Sequence, residues 1–282
     1  MPPAQPTKDL PVAVFDSGVG GLTVLHELLV ALPGEDYVYL GDTLRFPYGD
    51  REPGELRAFS GEIASKLIER GAKLLVIACN SATAAAIDDL RERCSAAGIG
   101  VDVIGVIEPE SVLAAATTRN GRIGLLATSA TVSSGAYERA LHRADPHTQL
   151  VSVACPELAP MIQDGATFDE RTVALVREYC EPLRSAGVDT VILGCTHYPL
   201  VRPILQRSLG PGVEIITSGD AVARRVEHAL SVTGLLSESE GEGSYDFLCT
   251  GDVESFTALG ERFLQLPLGA VERIELESEV HL

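Results

Sequence analysis

Short apolar runs alternate along this chain with longer amphipathic stretches. The apolar runs are rich in Val, Ile and Leu without polar alternation, which is typical of strands that helices cover on both faces. They predict strands over 12–15, 37–40, 74–78, 103–106, 123–127, 150–153, 190–193 and 214–216. The amphipathic stretches predict helices over 22–32, 55–70, 82–97, 111–118, 134–143, 171–186, 200–209 and 220–233. This alternation indicates an α/β fold built on parallel sheet.

The alternation stops after Leu236, where the acidic and glycine-rich segment SESEGEGS predicts a surface loop. Beyond that loop the pattern predicts one more strand over 245–249, a helix over 253–264 and a strand over 271–276.

An internal repeat is visible around two cysteines. The segments GAKLLVIACN, which starts at Gly71, and GVDTVILGCT, which starts at Gly187, share one layout. Each consists of a glycine, an apolar strand, a cysteine and a small polar residue, and it places Cys79 and Cys195 116 positions apart.

Two further strand ends keep nearly the same spacing. The strand before Ser17 has a counterpart before Ser129, 112 positions later, and the strand before Asp42 has one before Pro156, 114 positions later. Three matches in the same order at near-constant spacing predict two homologous α/β lobes rather than a solenoid.

The repeat also predicts where the lobes begin and end. We expect the first lobe to comprise residues 1–105 plus 218–282 and the second to comprise residues 106–217. Residues 218–282 have no counterpart in the second half, so we expect them to fold back onto the first lobe. The predicted architecture is two pseudo-symmetric lobes, each a mainly parallel sheet flanked by helices, with an active site in the cleft between them.

Charge and composition exclude several classes of partner. Lys and Arg number 22 against 40 Asp and Glu, a formal net charge of −18 that repels phosphate backbones and argues against nucleic-acid binding. No apolar run is long enough for a membrane span, and the first residues lack the apolar core of a signal peptide. Six cysteines without an export signal predict free thiols, and we expect a cytoplasmic protein.

Ligands of open parallel sheets bind beyond the carboxyl ends of the strands, which makes the residues there the candidates for chemistry. They are Asp16, Ser17, Asp42, Cys79, Asn80, Ser81, Thr128, Ser129, Cys195, Thr196 and His197. The repeat places Cys79 and Cys195 on opposite sides of the cleft. A thiolate on one face of a tetrahedral carbon and a thiol on the other can invert that carbon by removing one proton and returning another.

Local sequence around the two cysteines suits that chemistry. Helices are predicted to begin just after both, and a helix N-terminus lowers the pKa of a thiol. His197 can assist proton transfer at Cys195, and Asp16 can do so on the other side or hold an ammonium group. We assign Cys94, Cys155, Cys180 and Cys249 to packing or to the surface.

The sequence predicts no metal site and no cofactor. It contains no C-x-x-C pair, and its three lysines lie in the tail, in a helix and before a strand, which disfavours a Schiff-base cofactor. The loop DSGVGG from Asp16 lacks the third spaced glycine of a dinucleotide fingerprint and has no Gly-Lys-Ser/Thr. We interpret it as a tight turn that lets a small anion reach backbone N–H groups.

Four segments resemble the glutamate racemase family, and they occur in the family's order between residues 11 and 276. They are FDSGVGGLTVL, GDTLRFPYGDR, VIACNSAT and LGCTHYPL. The resemblance implies cofactor-independent interconversion of L- and D-glutamate for peptidoglycan precursors in the bacterial cytoplasm. It also implies two α/β lobes with the site between them, usually in a homodimer.

The resemblance further implies the role of individual residues. It makes Cys79 and Cys195 the two acid/base residues, and it implies the substrate contacts Asp16, Ser17, Tyr48, Gly49, Asn80, Ser81, Thr196 and His197. Ser81 stands where many relatives have threonine and keeps the hydroxyl. Relatives often carry glutamate near Gln163, so either Asp164 substitutes for that carboxylate or it is absent.

Other functions remain open at this point. One is a racemase for aspartate or another amino acid with the same architecture, which differs in pocket size and in the partner of the side-chain carboxylate. Another is a two-lobed amino-acid-binding module without catalysis, although such modules usually act outside the cytoplasm. A regulatory interaction protein built on a racemase scaffold is a third, and no sequence feature tests it.

Overall fold

The computed structural model describes residues 5–165, 168–239 and 241–276 of the chain. Its strands are β1 (Val12–Asp16), β2 (Tyr37–Gly41), β3 (Leu74–Ile77), β4 (Asp102–Gly105), β5 (Arg122–Ala127), β6 (Gln149–Ala154), β7 (Thr190–Gly194), β8 (Glu214–Ile216), β9 (Tyr245–Cys249) and β10 (Val271–Arg273). Its α-helices are α1 (Leu22–Ala31), α2 (Pro53–Glu69), α3 (Asn80–Ala96), α4 (Ile107–Thr117), α5 (Ser129–Ser134), α6 (Ala136–Ala144), α7 (Leu158–Gln163), α8 (Glu170–Ser185), α9 (Arg202–Leu209), α10 (Ser218–Thr233) and α11 (Val253–Leu264). A 3₁₀ helix covers Tyr198–Val201.

The strands form two parallel sheets with helices packed against them, which confirms the predicted fold class. The first sheet has the order β10-β9-β2-β1-β3-β4 and the second has the order β6-β5-β7-β8. If β1 to β4 are matched in turn with β5 to β8, both sheets have the same strand order, so the topology agrees with the sequence repeat. β9 pairs with β2 and β10 pairs with β9, which brings the C-terminal segment back onto the first sheet as expected.

The chain passes between the sheets twice. It leaves the first sheet after β4 and enters α4, and it leaves the second sheet after β8 and enters α10. These crossings lie close to the predicted boundaries at 105/106 and 217/218, but the division into domains stays a prediction. The termini that it includes, residues 1–4 and 277–282, lie outside the described residues.

The predicted strands are all present, and only β10 is clearly shorter than expected. Two helices depart further from the prediction, and each has a proline in its first turn. The fourth helix is predicted from residue 111 but begins at Ile107, with Pro109 as its third residue. The helix α7, for which the sequence predicts no helix, has Pro160 as its third residue. The missing N–H of proline costs nothing there, because first-turn N–H groups have no partner within the helix.

The short helix α5 has a different origin. Its sequence, SATVSS, is poor in strong helix formers, so no helix was predicted there. The Thr128 side chain caps it by accepting a hydrogen bond from the backbone N–H of Thr131.

All six cysteines are unpaired and buried, including the four assigned to packing or to the surface. Within the described residues, no helix combines the length and apolar character that crossing a bilayer requires. The same residues contain no group of three or more His, Cys, Asp or Glu side chains arranged to hold a metal ion.

Candidate active site

A narrow cavity lies between the two sheets, where the carboxyl ends of four strands meet. Ser17 follows β1 and Cys79 follows β3 on one side, while Thr128 follows β5 and Cys195 follows β7 on the other. The cavity is completed by Phe46, Pro47, Tyr48, Gly49, Asp50, Asn80, Ser81, Pro156, Ala159, Pro160, Gly194, Thr196 and His197. The pseudo-symmetry therefore brings one cysteine from each lobe to a single cavity, together with every substrate contact that the resemblance implies except Asp16. The strand-end candidates Asp42 and Ser129 do not line it.

Cys79 is the N-cap residue of α3. Its Sγ accepts a hydrogen bond from the Ala82 backbone N–H at 3.5 Å and lies 3.8 Å from the Ser17 hydroxyl oxygen. The side chain is only 6% exposed, and burial raises the pKa of the thiol to about 12, with the nearby Asp16 carboxylate acting in the same direction. The expectation of a lowered pKa is thus wrong, because loss of solvation outweighs the helix N-terminus.

Cys195 follows β7 directly but does not cap an α-helix. The 3₁₀ helix that comes next starts only at Tyr198, so the predicted helix start beside this cysteine is wrong. Burial raises the pKa of the Cys195 thiol well above its ordinary value, although a hydrogen bond with the His197 backbone opposes that shift. Burial therefore favours the neutral thiol at both cysteines.

The imidazole of His197 lies beside Cys195 in a defined orientation. Its Nε2 is 2.8 Å from the side-chain oxygen of Gln163, and its Nδ1 is 4.0 Å from the sulfur of Cys195. An amide oxygen only accepts hydrogen bonds, so Nε2 carries the proton and the lone pair of Nδ1 faces the thiol. Burial lowers the pKa of His197 to about 3, which keeps the ring neutral. A base this weak does not take the proton of Cys195, but its Nδ1 can accept a hydrogen bond from the thiol.

Gln163 is the residue near which the family resemblance implies a glutamate. It contacts His197, whereas Asp164 is exposed at the end of α7. The Asp164 carboxylate therefore does not substitute for the missing one beside the imidazole.

Asp16 is fully buried behind the cavity wall rather than in it. Its carboxylate accepts hydrogen bonds from the Gly18 backbone N–H at 2.9 Å, the Thr196 hydroxyl at 3.2 Å and the Ser17 hydroxyl at 3.4 Å. Two of these donors, Ser17 and Thr196, line the cavity. Asp16 therefore holds cavity side chains from both lobes, and its predicted direct contact with substrate stays a prediction.

Hydroxyl groups connect the two lobes on the far side of Cys79. The Ser81 Oγ lies 2.9 Å from the Thr128 Oγ1 and 3.2 Å from the Thr131 Oγ1. Thr128 was visible in the sequence as a strand-end residue, although the resemblance did not assign it a role. Asp42, another strand-end residue, is bonded to Tyr48, Arg45 and Thr250 and does not line the cavity.

The loop after β2 closes one side of the cavity against the second lobe. The carbonyl oxygen of Gly49 accepts a hydrogen bond from the Ala130 backbone N–H at 2.8 Å. A Cβ on Gly49 would stand 2.9 Å from the Cβ of Thr128, so glycine permits this close approach. The sequence left open whether the segment of residues 45–49 is a pocket wall or only a loop. In the structure, Phe46, Pro47, Tyr48 and Gly49 of this segment form part of the cavity wall.

Because the Asp16 carboxylate is buried, we expect its replacement by a neutral residue to stabilise the protein by an amount that depends on pH. Burial raises the pKa of this carboxyl from 3.8 to about 6, so the folded state binds the proton more tightly than the unfolded state. The stability of the native protein then falls as pH rises from about 4 to about 6, and ionised Asp16 costs about 3 kcal/mol above that range. We expect Asp16→Asn to unfold at a higher urea concentration at pH 8 but not at pH 4.

The matched control is Asp252→Asn. Asp252 is an exposed helix cap whose pKa is lowered by hydrogen bonds with Ser255, so its replacement brings no gain at pH 8. An Asp16→Asn variant whose stability differs from the native protein by the same amount at pH 4 and pH 8 contradicts the buried-charge account.

Comparison with known proteins agrees with this geometry. Residues 37–226 match the family model described as Asp/Glu/Hydantoin racemase. A glutamate racemase from Geobacter metallireducens is 42% identical over 268 residues, which cover 95% of this chain and 97% of that protein.

Solved structures give the same result. A glutamate racemase from Bacillus anthracis superimposes with a TM-score of 0.88 at 37% identity, over 95% of this chain and 98% of that one. A glutamate racemase from Francisella tularensis, solved in complex with D-glutamate, has a TM-score of 0.88 at 30% identity, over 96% of this chain and 100% of that one. By sequence and by structure, the chain belongs to the glutamate racemase family.

Proposed function

We propose that this protein interconverts L- and D-glutamate by moving protons at Cα with two thiols. The observation that carries the proposal is that Cys79 and Cys195, one from each lobe, line one narrow cavity. One sulfur, as thiolate, removes the Cα proton from one face of the substrate, and the other, as thiol, delivers a proton to the opposite face. In the reverse direction the two roles exchange, and the thiols themselves supply the acid and the base.

Each thiol has a neighbour that can help to form the thiolate. At Cys195 a hydrogen bond with the His197 backbone favours the thiolate, and the Nδ1 lone pair of the ring can accept a hydrogen bond from the thiol. At Cys79 the Ala82 backbone N–H is placed to stabilise the anionic sulfur, and the Ser17 hydroxyl can do so by turning its proton from Asp16 to the sulfur. Burial raises the pKa of both thiols, and the positive charge of a substrate ammonium group would favour the thiolate.

The other cavity residues offer partners for the charged groups of an amino acid. The first turn of α3 presents backbone N–H groups at the cavity, which suits a carboxylate. The hydroxyls of Ser17, Ser81 and Thr196 and the side chain of Asn80 add hydrogen-bonding groups. We propose Asp16, Ser17, Tyr48, Gly49, Asn80, Ser81, Thr196 and His197 as the residues that bind glutamate or hold those that do.

Three further features are proposed from the family resemblance: a homodimer, a cytoplasmic location and the supply of D-glutamate for peptidoglycan. A fourth, the division into residues 1–105 plus 218–282 and 106–217, is proposed from the internal repeat. The assignment of strands to the two sheets supports this division.

Circular dichroism of the purified protein with single enantiomers tests the proposed activity. We expect the optical signal of both L-glutamate and D-glutamate to decay to zero, while L-aspartate changes much more slowly. Faster loss of the aspartate signal would identify an aspartate racemase. Calorimetric binding of glutamate without any decay of the signal would instead identify a non-catalytic binding module.

A further inference from the structure

A cluster of buried polar side chains lies directly behind the cavity residue Asn80. It consists of Asn80, Glu110, Tyr137 and Ser218, all of them buried. In the part of the chain that the structure describes, Glu110 makes no ion pair, so a salt bridge does not account for this carboxylate. A buried carboxylate without a counter-ion is costly, and such groups concentrate at functional sites.

Three side chains are hydrogen-bonded to the Glu110 carboxyl group. The Tyr137 hydroxyl and the Asn80 amide share its Oε2, with Asn80 Nδ2 at 3.3 Å, and the Ser218 hydroxyl is bonded to its Oε1. Burial raises the pKa of Glu110 to about 8, so the carboxyl holds a proton at neutral pH, and Ser218 can share that proton at Oε1. Oε2 then remains an acceptor for Tyr137 and Asn80, which fixes the direction of those two bonds.

The direction of those bonds determines which way the Asn80 amide points. Because the single proton of the Tyr137 hydroxyl goes to Glu110, its oxygen offers only a lone pair to Asn80. Nδ2 of Asn80 donates to that lone pair at 2.7 Å. The Oδ1 atom on the other arm of the amide is therefore turned away from the cluster.

That Oδ1 atom is buried and has no hydrogen-bond partner among the described residues. Asn80 nevertheless lines the cavity, and its backbone follows Cys79 directly. A buried carbonyl oxygen without a donor costs free energy, and a ligand that brings an N–H group removes this cost. Substrate ammonium is such a donor.

The cluster also spans both connections between the lobes. Glu110 lies in the first turn of α4, just after the first crossing, and Ser218 is the first residue of α10, just after the second. The carboxylate therefore joins the two crossing segments to the residue next to Cys79.

We propose that Glu110 and Tyr137 are positioning residues that orient the Asn80 amide so that its Oδ1 accepts a hydrogen bond from the α-ammonium group of the substrate. This inference rests on the proposed binding of glutamate at the cavity. If the Asn80 amide were turned the other way, its NH₂ group would point at the substrate ammonium, and two hydrogen-bond donors would face each other.

A mutant cycle measured by racemisation kinetics tests the proposal. We expect Asn80→Ala and Tyr137→Phe each to raise the KM for glutamate about three- to tenfold with a smaller change in kcat, the size expected for one hydrogen bond. In the double variant Tyr137→Phe should add nothing to the effect of Asn80→Ala, because the hydroxyl acts only through that amide. Glu110→Gln should likewise cause no further rise in KM when it is introduced into the Asn80→Ala variant.

The matched control is Tyr37→Phe. The Tyr37 hydroxyl is equally buried but is bonded to the backbone carbonyls of Leu28 and Leu32, and none of these residues lines the cavity, so KM should not change. Additive effects of Tyr137→Phe and Asn80→Ala on KM would overturn the positioning role while leaving the proposed substrate contact intact. An unchanged KM in Asn80→Ala alone would overturn that contact and the inference with it. If Tyr137→Phe fails to fold, the Glu110→Gln cycle decides between the same outcomes.

Discussion

Replacement of either Cys79 or Cys195 by serine is expected to lower kcat for glutamate racemisation by about 10³-fold or more. A positioned general acid or base contributes roughly 10²- to 10⁴-fold, and each thiol serves as one of the two. Serine keeps nearly the same shape, but its hydroxyl is far less acidic than a thiol. Burial in this cavity already raises the pKa of both thiols, so an alkoxide in the same place is out of reach.

The loss should occur in both directions, measured from L-glutamate and from D-glutamate, because each cysteine acts on one face of Cα. Cys180→Ser is the matched control. Cys180 is a buried thiol whose pKa burial also raises to about 12, but it lies in α8 and not in the cavity lining. Near-normal racemisation by either cavity variant, with thermal unfolding unchanged, would contradict the assignment of that thiol.

A methyl group at Gly20 should reduce kcat/KM by about 100-fold through its effect on the cleft. A Cβ at this position would stand 2.3 Å from the Thr196 hydroxyl oxygen and 2.5 Å from Nδ1 of His197. These two residues lie in the second lobe and line the cavity beside Cys195.

The side chain of His197 has no room to move away from that methyl group. Its ring is bonded to Gln163 and packs between the rings of Phe46 and Phe263, whose centroids lie 5.5 and 5.1 Å from its own. The lobes must therefore separate slightly, and a displacement of about 1 Å at a reacting group can cost 10²-fold in rate.

Gly54→Ala is the control for this substitution. Gly54 lies in α2, and a Cβ there meets no atom within 4 Å, so the kinetics should not change. A Gly20→Ala variant whose kcat/KM stays within threefold of the native value would show that the close approach of the lobes at Gly20 is not needed for catalysis.

The fold was predictable because buried parallel strands appear in the sequence as short apolar runs, and because duplication repeats those runs in order. The repeat around Cys79 and Cys195 predicted both the two-lobed architecture and the strand ends that meet at the cavity. Helix starts were less predictable where proline stands in the first turn, as at Pro109 and Pro160. Local sequence does not distinguish a proline that breaks a helix from one that begins it.

The environment of the site was less predictable than its residues. A helix N-terminus is a local feature. The burial that raises the pKa of Cys79, where a lowered pKa was expected, depends on both lobes together. Glu110 lies in the segment IEPES, which has the composition of an exposed helix start. Its partners Tyr137 and Ser218 are distant in sequence, so no local pattern indicates that this carboxylate is buried.

The fate of the Cα hydrogen tests the central claim, that two opposed thiols share the proton transfer, more directly than any substitution. The reaction is run in D₂O from each enantiomer, and early samples are separated into L- and D-glutamate and analysed by mass spectrometry. In D₂O the thiol that delivers the new hydrogen carries deuterium from solvent. We expect product of the opposite configuration to contain deuterium at Cα from the first turnovers, while unreacted substrate retains protium. Product that retains the substrate's own hydrogen would indicate a single base and would contradict the two-thiol account.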